Sequence, residues 1–374
     1  MSSNKIWLSP PHMGGREQWH INQAFETNWI STAGPQIDAF ERSLTDFIGS
    51  EYAAVLGSGT AAVHLALRII GVAKGDSVIC QTFTFAGSAN PIVYQGANPI
   101  FMDSEKDTWN MNPSLLEDTL TGITKSNQRL PKAIIPVHLY GMPAKMAEIN
   151  SIAEKYGIAV IEDAAEALGS EIEGVPVGNM GAMSILSFNG NKIITTSGGG
   201  ALLSNNKEYI DKAKFLATQA RDPAPHYQHT QIGYNYRMGN INAAIGLGQM
   251  EVLQERIKRK REIFDYYLNM LGNVEGIEFN LEPKGYFSNR WLTTILVDSY
   301  ERKESIRLAL ERENIESRPL WKPMHLQPVF KDAQYFGGNV AENLFGRGLC
   351  LPSGTELNED DLATIVHLIK SIFI

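Results

Sequence analysis

Between residues 53 and 163 short apolar runs alternate with helical patterns, and this alternation limits the fold more than any other feature. The runs at 53–56, 77–81, 99–102, 133–137 and 159–161 read as strands. Apolar residues at helical spacing fill the intervals, at 61–70, 88–95, 113–120 and 144–156. Strands separated by helices pair in parallel, because each crossover returns the chain to the same edge, and the helices then cover both faces. The pattern predicts an α/β fold built on a mostly parallel sheet. Upstream, helical spacing occurs at 15–28 and again through Phe40, Leu44 and Phe47, with Pro35 suited to a first helical turn. Downstream the alternation stops. Short strands at 183–187 and 201–204 flank a hydroxyl- and glycine-rich stretch, and residues 240–270 form one long helical pattern. Gly248 falls on the apolar stripe of that helix, where another element could approach closely. A strand at 291–297 and helices near 301–312 and 360–372 complete a smaller α+β unit. We expect a large domain over residues 1–250 and a small C-terminal domain over residues 251–374.

Ligands of open parallel sheets bind outside the carboxyl ends of the strands, so the residues just past each strand carry the functional signal. Gly57-Ser58-Gly59-Thr60-Ala61 joins a strand to a helix. Free amides and hydroxyls at a helix N-terminus suit a phosphate, although an ordinary helix cap uses the same residues. Ile161-Glu162-Asp163-Ala164-Ala165-Glu166 places carboxylates past another strand. A buried carboxylate there needs a cationic partner, such as a protonated pyridine nitrogen, unless Asp163 merely caps a helix. Phe85, in Gln81-Thr82-Phe83-Thr84-Phe85-Ala86, either stacks on a flat ring or belongs to the core. Gly233-Tyr234-Asn235-Tyr236-Arg237-Met238 and Arg318-Pro319-Leu320-Trp321-Lys322-Pro323-Met324-His325 offer amides, cations and aromatics to an anionic ligand, or pack as loops.

One lysine stands apart. Lys192 follows the strand that ends at Ser187 and precedes Thr195-Thr196-Ser197-Gly198-Gly199-Gly200. A lysine whose pKa is lowered by burial or cationic neighbours is a nucleophile and forms Schiff bases with carbonyl compounds. The alternatives are a surface hairpin and an aldolase lysine that works without a cofactor.

Composition excludes several classes. The net charge of −8 argues against phosphate-backbone binding. The basic run Lys258-Arg259-Lys260-Arg261 is flanked by Glu255 and Glu262 and reads as a solvated helix face. Two distant cysteines, Cys80 and Cys350, make no disulfide framework and suit a reducing compartment. No apolar run approaches the ~20 residues of a membrane span, and the N-terminus lacks a signal-peptide core, so we expect a cytoplasmic protein. His226 and His229 have ligand-like spacing but no third ligand nearby, and no metal site is expected.

An anion site, a ring-stacking aromatic, a strand-end aspartate and a downstream lysine are together the parts that pyridoxal phosphate requires. The chain resembles the sugar-nucleotide aminotransferases of the DegT/DnrJ/StrS family over nearly its whole length. The likeness is carried by Glu162-Asp163-Ala164-Ala165-Glu166-Ala167-Leu168-Gly169, Ser187-Phe188-Asn189-Gly190-Asn191-Lys192 and Gly233-Tyr234-Asn235-Tyr236-Arg237. The stretches 189–200 and 318–322 bring it nearest to UDP-4-amino-4,6-dideoxy-N-acetylglucosamine transaminases. The resemblance implies the fold-type I, aspartate aminotransferase-like architecture, with a mostly parallel seven-stranded sheet and pyridoxal 5'-phosphate as cofactor. It implies that Lys192 carries the cofactor and Asp163 pairs with its ring nitrogen. Glu166 would sit near the ring hydroxyl, where many relatives have Gln or His, and Phe85 would stack on the ring. Gly59, Thr60 and Ser187 would bind the phosphate. Asn235 would reach the phosphate of a neighbouring subunit, in a homodimer with shared sites. The expected substrates are L-glutamate and a UDP-linked 4-keto sugar, gripped by Trp29, Ile30, Ser31, Arg318, Trp321, Lys322 and His325. The sequence departs from relatives at Ser197-Gly198, where Gly-Glu is common, and at Asn189, where His is common. Lys192 excludes the branch of 3-dehydratases that replaces this lysine by histidine.

Overall fold

The computed structural model describes residues 5–373. Its large sheet has eight strands, in the order Tyr52–Leu56, Gly200–Ser204, Met183–Ser187, Ala159–Asp163, Ala133–Ile135, Ser77–Gln81, Asn98–Met102 and Gln334–Phe336. Only Gly200–Ser204 runs antiparallel to its neighbours; the remaining pairs are parallel. Seven strands follow the expected pattern. The eighth, Gln334–Phe336, is short, partly exposed and polar at its start, so it has no apolar signature.

Period-two alternation distributes each strand between two cores. Ala54 and Leu56 pack on one face of the sheet, with the helices Gly59–Ile69 and Lys207–Ala217. Ala53 and Val55 pack on the other, with Ile37, Phe40, Leu44 and Ile48 of the helix Pro35–Ile48. That helix starts with proline in its first turn and stops at Gly49, whose φ of 81° suits the left-handed cap. A sheet covered on both faces explains why its strands read as near-continuous apolar runs.

The long helical pattern at 240–270 is two helices, Asn240–Glu251 and Leu253–Leu271. Val252 leaves the helical region at φ −111° and ψ 4°. Neither proline nor glycine marks this break, so the apolar spacing runs through it. Gly248 makes the close approach its position suggests: a Cβ there would stand 2.6 Å from the backbone nitrogen of Glu17, at the start of the helix Glu17–Glu26.

Beyond the break lies an antiparallel sheet of four strands in the order Ile277–Phe279, Thr293–Val297, Gly348–Leu351 and Arg318–Pro319. Residues of Leu253–Leu271, Tyr300–Arg312 and Glu359–Ser371 form its core. We propose residues 250–251 as the boundary between the two units, with Gln334–Phe336 returning from the second to extend the first sheet. The return is fixed by Asp103. Its buried carboxylate accepts the amides of Gly338 and Val340 (3.1 Å each), Ala341 (3.0 Å) and Ser104 (2.8 Å).

Asp103→Ala would orphan these amides where the C-terminal segment meets the sheet. We expect a loss of roughly 2–4 kcal/mol in chemical denaturation; a loss below 1 kcal/mol would show that water satisfies the freed amides.

Candidate active site

Parallel pairing brings the ends of Leu56, Asp163 and Ser187 to one edge of the sheet. Because Gly200–Ser204 runs the other way, its first residue reaches the same edge, with Leu56 and Ser187 both opposite Gly200. A cavity of about 310 Å³ opens there. All the expected cofactor residues except Asn235 line it: Gly59, Thr60, Phe85, Asp163, Glu166, Ser187 and Lys192.

One wall is the N-terminus of Gly59–Ile69. Ser58 caps this helix by accepting the Ala61 amide at 3.0 Å. The amides of Gly59 and Thr60 belong to the first turn and have no intrahelical acceptor. The cap and the free amides thus fall on different residues, so the cap leaves those amides open to an anion. The hydroxyls of Thr60 and Ser187 stand at the same place, without hydrogen-bond partners among the described residues. A Cβ on Gly59 would lie 3.2 Å from Ser187 Cβ, and one on Gly200 would lie 2.3 Å from the Gly59 nitrogen. Gly200 thus lets the helix terminus sit against the antiparallel strand. A Cβ on Gly198 would meet nothing within 4 Å.

The strand Ala159–Asp163 separates its two terminal carboxylates. Glu162 turns into the core, wholly buried. It accepts from His138 Nε2 at 2.9 Å, Ser184 Oγ at 2.7 Å, and the amides of Gly178, Met180 and Gly181 at 2.5, 2.7 and 3.1 Å. The Ala144 amide donates to His138 Nδ1, so the ring proton lies on Nε2, facing Glu162. Burial alone would raise the Glu162 pKa; the bonds from His138, Ser184 and Gly178 outweigh it and hold the carboxyl low. Asp163 turns into the cavity, 5% exposed. It accepts Ser88 Oγ at 2.6 Å and the Ala165 amide at 3.1 Å, and Thr84 Oγ1 bonds Ser88 in turn at 2.8 Å. Among the described residues it has no ion-pair partner.

Lys192 enters the cavity from a loop. Its Nζ lies 3.5 Å from Glu166 Oε1 and 4.1 Å from the centre of the Trp291 ring. Its neighbours are a carboxyl and an aromatic face rather than cations. Glu166 also accepts the Tyr140 amide at 2.7 Å. Burial raises its pKa, and Lys192 and the Tyr140 amide only partly oppose this.

Phe85 caps the helix Ala86–Tyr94 and remains 54% exposed at the mouth, 5.4 Å from the Trp321 ring. Trp321 stacks on Tyr140, which stacks on Trp291. The indole N–H of Trp321 is buried without an acceptor among the described residues. Of the expected substrate residues, only Trp321 lines this cavity. Arg318 is exposed and paired with Glu316 at 2.7 Å, and Lys322 is exposed. His325 faces away, bonded to Thr82 Oγ1 at 2.7 Å and stacked on Tyr335. Trp29, Ile30 and Ser31 are exposed after the helix Glu17–Glu26. Asn235 is exposed on a segment bridged to Thr218. His226 and His229 are exposed, and no group of three or more metal-binding side chains occurs among the described residues.

Sequence reasoning missed Ser88, Tyr140, Asn189, Asn191 and Trp291. Ser88 and Tyr140 act through contacts across 75 and 26 positions, and nothing local marks them. Asn189 and Asn191 lie inside the quoted motif, and Trp291 appears only as the first residue of a predicted strand.

The cavity thus offers an anion cradle, an unpaired buried carboxylate, a lysine and an aromatic wall. This set fits a flat phosphorylated ring with a basic nitrogen and a carbonyl group. Residues 11–370 match the model of the DegT/DnrJ/EryC1/StrS aminotransferase family. The chain is 52% identical to EpsN of Bacillus subtilis, whose name describes it as a pyridoxal phosphate-dependent aminotransferase, over 99% of this chain and 96% of the relative. It is 39% identical to a GDP-perosamine synthase of Escherichia coli O157:H7, over 97% of each chain. Among solved structures, the PLP form of Spr1654 from Streptococcus pneumoniae, described as a sugar aminotransferase, superposes with a TM-score of 0.91 at 26% identity, covering 99% of both chains.

The raised pKa of Glu166 makes a signed prediction for the cofactor-free protein. The fold favours the protonated carboxyl, so this stabilising contribution is complete below the ordinary value of 4.5 and is lost as pH rises through the folded value. Glu166→Gln removes the loss. Denaturation midpoints of variant and parent should diverge in the variant's favour above pH 4.5 and then level off; a difference independent of pH would contradict this.

Proposed function

The chain belongs to the DegT/DnrJ/EryC1/StrS aminotransferase family and is a pyridoxal phosphate-dependent sugar aminotransferase; from that premise we propose that it moves the amino group of L-glutamate to C4 of a UDP-linked 4-keto-6-deoxy-N-acetylhexosamine. The product would be a UDP-4-amino-4,6-dideoxy-N-acetylglucosamine for bacterial glycan synthesis. The observation that carries the reading is that Lys192, Asp163 and the open N-terminus of Gly59–Ile69 line a single cavity.

When bound, the cofactor supplies an electron-withdrawing ring that accepts the charge developing at the amino donor's α-carbon. The amides of Gly59 and Thr60 and the hydroxyls of Thr60 and Ser187 would hold its phosphate. Asp163, oriented by Ser88 and the Ala165 amide, would pair with the ring nitrogen and maintain its positive charge where negative charge develops. Glu166 would bond the ring hydroxyl, and Phe85 would cover one face. Lys192 would hold the cofactor and, once displaced by substrate, carry the proton between the α-carbon and the cofactor. Trp321, with its free indole N–H, is the candidate nearest the sugar. Arg318, Lys322, His325, Trp29, Ile30 and Ser31 lie farther out, so any contact with the nucleotide requires an extended ligand or a second copy of the chain. Asn235 is exposed outside its own chain's cavity, which supports a homodimer in which it serves the other site. Among the described residues no helix is long and apolar enough to cross a membrane; we assign the protein to the cytoplasm.

A second reading has a specific basis. Relatives at 35–39% identity are named GDP-perosamine synthases, which points to a GDP-linked keto sugar as the acceptor.

The protein incubated with cofactor should absorb visible light. Lys192→Ala should lose that band and at least about 10²–10⁴-fold in turnover; retained turnover would refute the role of Lys192. With UDP-, GDP- and dTDP-linked 4-keto-6-deoxy sugars compared by kcat/KM, the UDP-linked N-acetylhexosamine should lead by about tenfold or more. A GDP preference would select the second reading.

A further inference from the structure

Lys260 belongs to the basic run 258–261, which the sequence reads as a solvated face. The structure corrects this for one residue. Lys258 is exposed, whereas Lys260 points inward and is 2% exposed. Its Nζ donates to Ser9 Oγ at 3.2 Å and to the carbonyls of Trp291 and Ser353 at 2.9 Å each. Three oxygens match the three N–H bonds of an ammonium, the arrangement a buried cation requires.

Two of these partners converge on a single atom. Ser9 Oγ donates to the Asn191 carbonyl at 3.2 Å, and Trp291 Nε1 donates to the same oxygen at 2.7 Å. Asn191 is bonded directly to Lys192, and the Trp291 ring faces Lys192 Nζ. The closed circuit Lys260–Ser9–Asn191–Trp291 therefore controls both the backbone that precedes Lys192 and the ring beside its nitrogen.

We propose that Lys260 is a positioning residue which, through Ser9 and Trp291, fixes the Asn191–Lys192 peptide and holds the Trp291 ring against the Lys192 nitrogen. This rests on the reading of Lys192 as the cofactor-bearing lysine. An aromatic face stabilises a positive nitrogen in front of it, so the circuit raises the pH at which the cofactor-linked Lys192 nitrogen loses its proton. Burial draws the Lys260 pKa down to about 7; Glu356 opposes this and Arg256 adds to it. Among the described residues, Glu356 and Arg256 are the charged groups acting on Lys260, and Glu166, 3.5 Å from the Lys192 Nζ, is the one paired with Lys192. Charge on Lys260 thus carries a desolvation cost, which its three oxygen partners offset in part.

The test is a pH titration of the visible absorption of the cofactor-loaded protein, with thermal denaturation alongside. Lys260→Met should keep cofactor binding but lower the midpoint of the visible transition by about half a unit to one unit. Ser9→Ala should shift it the same way by less. Trp291→Phe, which keeps a ring but lacks the Nε1 donor, should also lower it. A reduced Tm with an unchanged midpoint in Lys260→Met would make Lys260 a structural anchor only and overturn the proposal. If Lys260→Met does not fold, unchanged midpoints in both Ser9→Ala and Trp291→Phe overturn it. A wild-type band that persists in Lys192→Ala would instead remove the premise, and that failure is visible before any Lys260 variant is compared.

Discussion

Asp163 is a carboxylate buried at the end of a central strand, without an ion-pair partner among the described residues. The structure around the cavity answers that constraint. An ionised carboxylate taken out of water loses several kcal/mol of solvation, which one hydroxyl and one amide offset only in part. Ser88, braced by Thr84, and the Ala165 amide keep Asp163 aimed at the cavity. The missing positive charge is what a cofactor with a protonated ring nitrogen would provide. Its neighbour Glu162 shows the opposite solution. One residue earlier on a pleated strand, it faces the core, where five donors saturate it. Two adjacent acidic residues thus have different fates because side chains alternate across a sheet.

The lysine opposite Asp163 is held less by its own loop than by distant parts of the chain. The carbonyl before it is tied to the N-terminal segment by Ser9 and to the C-terminal half by Trp291, and Lys260 joins those two ties. The aromatic series Trp291, Tyr140 and Trp321 then runs from the lysine to the cavity mouth. Tyr140 bonds Glu166 through its amide and accepts the Trp321 amide on its hydroxyl at 2.8 Å. Glu166 and Trp321 are thereby parts of one packed unit.

Much of the fold was legible because the signals were periodic. Buried parallel strands give unbroken apolar runs, and amphipathic helices give 3.6-residue spacing. Where periodicity misled, a physical reason is evident. The helical pattern at 240–270 contains no breaker, yet Val252 leaves the helix there. Gln334–Phe336 is too short and polar to announce itself, and its place beside Asn98–Met102 depends on Asp103. Lys260 looked solvated because three cationic neighbours surround it in sequence, whereas the helix turns it toward Ser9, Trp291 and Ser353. His325 looked like a ligand-binding cation and is instead bonded to Thr82 and stacked on Tyr335.

By itself the sequence determined the α/β class and the residue types gathered at one edge of the sheet: a glycine- and hydroxyl-rich helix start, an acidic strand end and a lysine after the next strand. These follow from local rules, since strand ends and helix starts are written in consecutive residues. Only the tertiary structure decided which carboxylate faces the cavity, which member of a basic run is buried, and which tryptophan stands over Lys192. Each of those depends on contacts between residues tens to hundreds of positions apart, and a linear pattern carries no record of which distant partner a side chain will meet.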